Sequence, residues 1–131
     1  MSETLTRFEM KGWYKFKEKR NPFTGSLTIE TAAEPMVVDG YISDPNSVYF
    51  PLQHVVEGSL VREQDGFRLK FIKKPVGSML ADIHYALLKV GNGGFDGTYK
   101  GAWSFKEADV LKLDLSGQET ERQNAAEIEL L

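Results

Sequence analysis

Hydrophobic and polar residues alternate with a period of two along most of this chain. In residues 8–17, Phe8, Met10, Gly12, Tyr14 and Phe16 alternate with Glu9, Lys11, Trp13, Lys15 and Lys17. That pattern predicts a half-buried strand with one aromatic, Trp13, on its polar face. Asn21-Pro22-Phe23-Thr24-Gly25 reads as a loop. Leu27, Ile29 and Thr31 continue the alternation in a second strand, and residues 36–42 make a third. Ser43-Asp44-Pro45-Asn46 has turn chemistry, since Asp accepts backbone hydrogen bonds and Pro presets φ. A fourth strand is predicted over 48–57, with Phe50, Leu52, His54 and Val56 on one face and Pro51 marking an edge or bulge. Residues 60–63 and 67–73 flank Gln64-Asp65-Gly66, a hairpin signal, with Phe67, Leu69 and Phe71 inward and Arg68 and Lys70 outward.

The period changes after Pro75. Met79, Ile83, Ala86, Leu87 and Val90 recur at helical spacing, with Ser78 placed to cap the start and Gly91 to end it. A helix over 79–90 is predicted, and the alternation of Ile83, Tyr85 and Leu87 leaves one more strand as the alternative. Lys106-Glu107-Ala108-Asp109 reads as a turn and 110–115 as a last strand. Residues 118–131 are charged and carry no sustained apolar stripe, which predicts a flexible tail or a short helix outside a single domain of residues 1–117.

Residues 95–105 sharpen the fold class. Phe95, Gly97, Tyr99, Gly101, Trp103 and Phe105 fall on one face, so every second inward side chain in the middle of the strand is missing. An open flat sheet has no need for that, whereas a tightly curved one does, because small and large residues must alternate where facing strands converge. Glycine also permits the bending that closes a sheet. The reading is therefore mainly β: a single closed or nearly closed antiparallel β-barrel of about eight strands with one short helix.

Gly-Thr-Tyr-Lys-Gly-Ala-Trp at 97–103, with the overall strand count, resembles strand patterns of the calycin-like barrels, the lipocalins and avidins among them. The resemblance implies a barrel that holds a ligand.

Composition removes several function classes. The 131 residues suffice for one domain with a real core, and no apolar run approaches the length of a membrane-spanning helix or a signal peptide. The cytoplasm is the default location. The absence of Cys excludes thiol catalysis, thiolate zinc sites and disulfides. The formal net charge of −3 is carried by the tail, where Glu119, Glu121, Glu127 and Glu129 face only Arg122. Basic residues cluster over 7–20 and again at Arg68, Lys70, Lys73 and Lys74. They read as solvated strand faces guarding edges, so nucleic acid is not an expected partner. A homodimer is left open.

His54 is the residue most suggestive of chemistry. Its register with Phe50, Leu52 and Val56 puts an ionisable ring inside the barrel, to meet a ligand's polar group, to move a proton, or simply to be satisfied by a carbonyl or a Tyr in the core. His84, near Asp82, reads as exposed. The two histidines have no metal-binding spacing, so no metal and no cofactor are expected. Asp39, Glu57, Asp96 and Asp114 fall at strand ends or on polar faces. Residues 91–97 are glycine-rich but follow the wrong order of elements for a phosphate loop, and neither Gly-Ser step has a nucleophile-elbow pattern. The expected function is the binding of a small, largely apolar or aromatic molecule in the interior, with His54, Phe50, Tyr99 and Trp103 as ligand-binding residues. The alternatives are a small enzyme of isomerase, cyclase or hydrolase type using His54 as acid and base, and a solid-cored protein-interaction module.

Overall fold

The structure, a computed structural model, describes residues 5–45, 52–76, 82–91, 93–111 and 123–131. Eight strands close into a barrel in which every strand pairs antiparallel with its neighbours in sequence, and the last pairs with the first. They are β1 (Leu5–Phe16), β2 (Lys19–Glu30), β3 (Met36–Asp44), β4 (Leu52–Glu63), β5 (Gly66–Pro75), β6 (Ile83–Val90), β7 (Gly97–Ser104) and β8 (Ala125–Leu130), with one short helix, α1 (Glu107–Leu111). The fold class is therefore mainly β, as the alternation predicts. No helix among the described residues is long and apolar enough to cross a membrane.

Alternate residues of each strand fill the interior. Leu27, Ile29, Val38, Ile42, Val56, Leu60, Leu69, Leu87, Tyr99 and Ile128 lie in one core cluster, almost wholly shut off from solvent. Glycines make room for bulky neighbours on the adjoining strands. Gly12 pairs with Phe23 and Gly58 with Phe71, and a Cβ on either glycine would reach within 2.9 Å of its partner's side chain. Bulky residues thus lie over bare backbone, as the glycine–aromatic alternation of β7 anticipates.

The structure corrects several elements. Residues 83–90 form a strand and not a helix, while 79–81 lie outside the described residues. The helical period is spurious because β6 buries both faces: Tyr85 and Leu87 point inward, while Ala86 packs outside against Val110 of α1, with Leu88 beside them. Ala102 and Ala125 are buried in register with Ala86, so the outer wall under α1 is paved with alanine. The helix instead occupies 107–111, where a turn and the start of a strand were expected. The expected loop at 21–25 is the middle of β2, since the turn comes earlier, at Lys17 and Glu18. β4 is one strand through Gly58, and Phe50 and Asp114 lie outside the described residues. Phe105, expected inward, is 54% exposed beyond the end of β7.

The largest correction concerns the C-terminus. Residues 125–130 are neither a tail nor a helix: they are β8, paired with both β1 and β7. Ala126, Ile128 and Leu130 supply its inward face, while Glu129 pairs with Lys11 outside at 3.3 Å. Only three apolar positions alternate here, which is why the stretch reads as charged. The barrel accordingly extends beyond residue 117.

Candidate functional site

One end of the barrel interior is polar. β1 brings Tyr14, β3 brings Asp44 and β5 brings Lys73, the last two each at the inward position just beyond the apolar run of its strand. Lys73 Nζ lies 3.2 Å from Asp44 Oδ2, with side-chain exposures of 1% and 2%. Tyr14 Oη donates a 2.6 Å hydrogen bond to the same oxygen. Aromatic rings enclose the ammonium: Nζ is 4.5 Å from the ring centre of Tyr14, 5.4 Å from Phe23 and 5.9 Å from Tyr85. The rings offer their negative faces to a cation held away from water.

Electrostatics follow from burial. Desolvation lowers the Lys73 pKa from its ordinary value, with Asp44 pulling it back up. Desolvation raises Tyr14, and its hydrogen bond to Asp44 adds to the effect. Tyr85 is raised well above its ordinary value, again chiefly by burial. Both tyrosines therefore keep their protons throughout the physiological range.

At the same end lies a recess of about 550 Å³ lined by Phe16, Lys17, Glu18, Trp103, Gln123 and Asn124. Trp103 is its fixed wall. The ring Nε1 donates to Lys15 O at 2.7 Å, the backbone N–H donates to Asn124 O, and Asn124 Nδ2 donates to Trp103 O. Its ring meets Phe16 at 5.9 Å and Tyr14 edge-on at 6.4 Å, so the recess and the polar cluster share a wall. The rim at Lys17 and Glu18 has positive φ, 52° and 65°. Two successive non-glycine residues there are a costly way to make a two-residue hairpin turn.

The residues expected to bind ligand are divided. His54 is buried on the inward face of β4, paired with Ile42 on β3 and Pro75 on β5, two positions along from Asp44 and Lys73 respectively. Trp103 pairs with Tyr85 across β6 and β7, so His54 and Trp103 belong to the polar end. Tyr99 is buried, but its hydroxyl donates to Phe95 O, toward the opposite end of β7. Tyr14, Asp44, Lys73 and Tyr85 escape a reading confined to histidine and the β7 aromatics. Their signal is present: continuing Met36, Val38, Gly40, Ile42 by one step reaches Asp44, and continuing Phe67, Leu69, Phe71 reaches Lys73.

The two basic clusters do not form one patch. β1 and β5 stand on opposite sides of the barrel, and Lys73 points inward. Trp13 lies under the Arg20 guanidinium, 4.2 Å from its ring centre. His84, half-buried, lines a separate outer recess of about 250 Å³ between β4–β6 and α1. Among the described residues no group of His, Asp or Glu is arranged to hold a metal ion. Comparison with known protein families, with curated proteins and with solved structures finds no match to this chain.

Proposed function

We propose that the protein binds a small, largely apolar or aromatic molecule at the polar end of its barrel, entering past Trp103 and reaching the Tyr14–Asp44–Lys73 cluster beside His54. The resemblance of residues 97–103 to calycin-like strands points the same way. The observation that carries the reading is the buried ion pair at one end of a largely apolar barrel interior. A buried pair is often no more stabilising than well-packed hydrophobic residues of the same volume. Its presence at a barrel mouth, among rings and beside a recess, fits recognition better than stability.

Titration with an uncharged fluorescent naphthalene dye tests this. The chain has two tryptophans, one outside and one at the recess. In Trp13→Phe the dye should quench Trp103 saturably with one-to-one stoichiometry, and His54→Phe should weaken that binding while leaving the protein folded. Absence of saturable quenching, or quenching of Trp13 alone in Trp103→Phe, would leave the solid-cored alternative standing.

A further inference from the structure

We infer that the polar group this site takes from its ligand is an uncharged hydrogen-bond acceptor, a carbonyl oxygen, received by Tyr85 Oη and Lys73 Nζ. The inference rests on the binding reading above.

Two donors of the cluster, Tyr85 Oη and Lys73 Nζ, carry the inference. Tyr85 is 2% exposed, and its hydroxyl has no hydrogen-bond partner among the described residues. Buried hydroxyls rarely go unmatched, because the unmade bond carries the full cost of desolvation. The ring has little freedom to seek a partner elsewhere, since it stacks on Phe71 at 4.7 Å and 12°. Lys73 has three N–H groups, and Asp44 Oδ2 takes one of them. That oxygen already accepts from Tyr14 as well. The rest of the ammonium faces the rings of Tyr14, Phe23 and Tyr85. A ligand group that satisfies Tyr85 and Lys73 together must accept.

Charge selects among acceptors. Lys73 and Asp44 already offset one another in a place shut off from water. A carboxylate brought there would compete with Asp44 for a single cation and lose its own hydration. A carbonyl oxygen brings two lone pairs and no charge. Tyr85 suits it, because burial keeps that hydroxyl protonated and hence a donor. Phe71, Phe23 and Trp103 belong to the same core cluster as Tyr85, and such aromatic surroundings suit an aryl or conjugated ketone.

The test compares acetylnaphthalene, ethylnaphthalene and naphthoate, matched in ring and differing in the polar group, on the full chain by calorimetric titration. The ketone should bind roughly tenfold more tightly than the hydrocarbon, the value of one buried hydrogen bond. It should also bind more tightly than the carboxylate. Tyr85→Phe, nearly the same shape, should erase the ketone's advantage and leave ethylnaphthalene unchanged. Equal affinity of ketone and hydrocarbon on the wild-type protein overturns the acceptor inference and leaves the binding reading intact. Tightest binding by naphthoate overturns it in favour of an anion site. Failure of all three probes to bind overturns the binding reading itself. The wild-type series decides among these whether or not the variant folds.

Discussion

Lys73 and Asp44 meet across a strand that supplies neither of them: Lys73 is on β5, Asp44 on β3, and β4 runs between. Adjacent strands place inward side chains side by side, whereas this contact spans the curve of the wall. Curvature of the sheet across β4 brings the two together. The pair is therefore a reporter of curvature at β3–β5 as well as the centre of the proposed site.

Removing one member should be far worse than removing both. Asp44→Asn or Lys73→Met alone leaves a buried charge without its counterion, at a cost of about 3–5 kcal/mol. The double variant should recover most of that loss, because neither charge remains. Urea denaturation of the four proteins measures the coupling. Additive losses would show that the pair is solvated in solution.

Stability should pass through a maximum in the alkaline range. Burial holds Lys73 below the ordinary lysine value of 10.5, so between its folded pKa and 10.5 the unfolded chain binds more protons and stability rises with pH. Tyr14 and Tyr85 act oppositely: both are raised above 10.0 by burial, so the folded chain retains protons that the unfolded chain loses as pH climbs past 10.0. Denaturation across this range should show a rise and then a fall. In the Asp44→Asn, Lys73→Met double variant the rise should vanish and the fall persist.

The two glycines of β7 should fail for different reasons. A Cβ at Gly101 would sit 1.9 Å from Ala86 O and 2.8 Å from Leu87 Cα, so Gly101→Ala should cost about 3 kcal/mol or more. At Gly97 the obstacle is a φ of 121°, with only the flexible Lys89 side chain nearby, and alanine there should cost about 1–2 kcal/mol. Thr98→Val, on the outer face, should be nearly neutral. Thermal midpoints of the three variants rank them. A Gly101→Ala protein as stable as the wild type would contradict the close approach of β6.

Deleting residues 123–131 should abolish the cooperative unfolding transition. It removes β8, strips the pairing partner from one side of both β1 and β7, and exposes the core that Ile128 and Leu130 cover. Circular dichroism and analytical gel filtration read the outcome. A truncated chain with an unaltered melting curve would mean that β1 and β7 can pair directly.

The sequence makes curvature legible because glycine and aromatic residues alternate so regularly in β7. It hides β6 because Ala86 and Leu88 are apolar on the outside, where α1 packs on that wall, and two buried faces erase the alternation. It hides β8 because Glu127 and Glu129 dominate a strand with only three inward positions. The polar site is obscured by convention: Asp44 sits beside a proline and looks like a turn residue, and Lys73 sits beside Lys74 and looks like surface. Both obey the period of the strand they end. His54 and Trp103 are legible as inward residues because each keeps the period of its strand.

The seam between β1 and β8 has a consequence for the order in which the barrel can assemble. Met10 pairs with Leu130, so β1 meets its second neighbour only after every other strand of the barrel has been made. Until then β1 and β7 each carry an unsatisfied edge, a template for pairing with another nascent chain. Final closure joins strands at long sequence separation and is slow by its nature. The interval before it is when this protein is most exposed to strand exchange with its own copies.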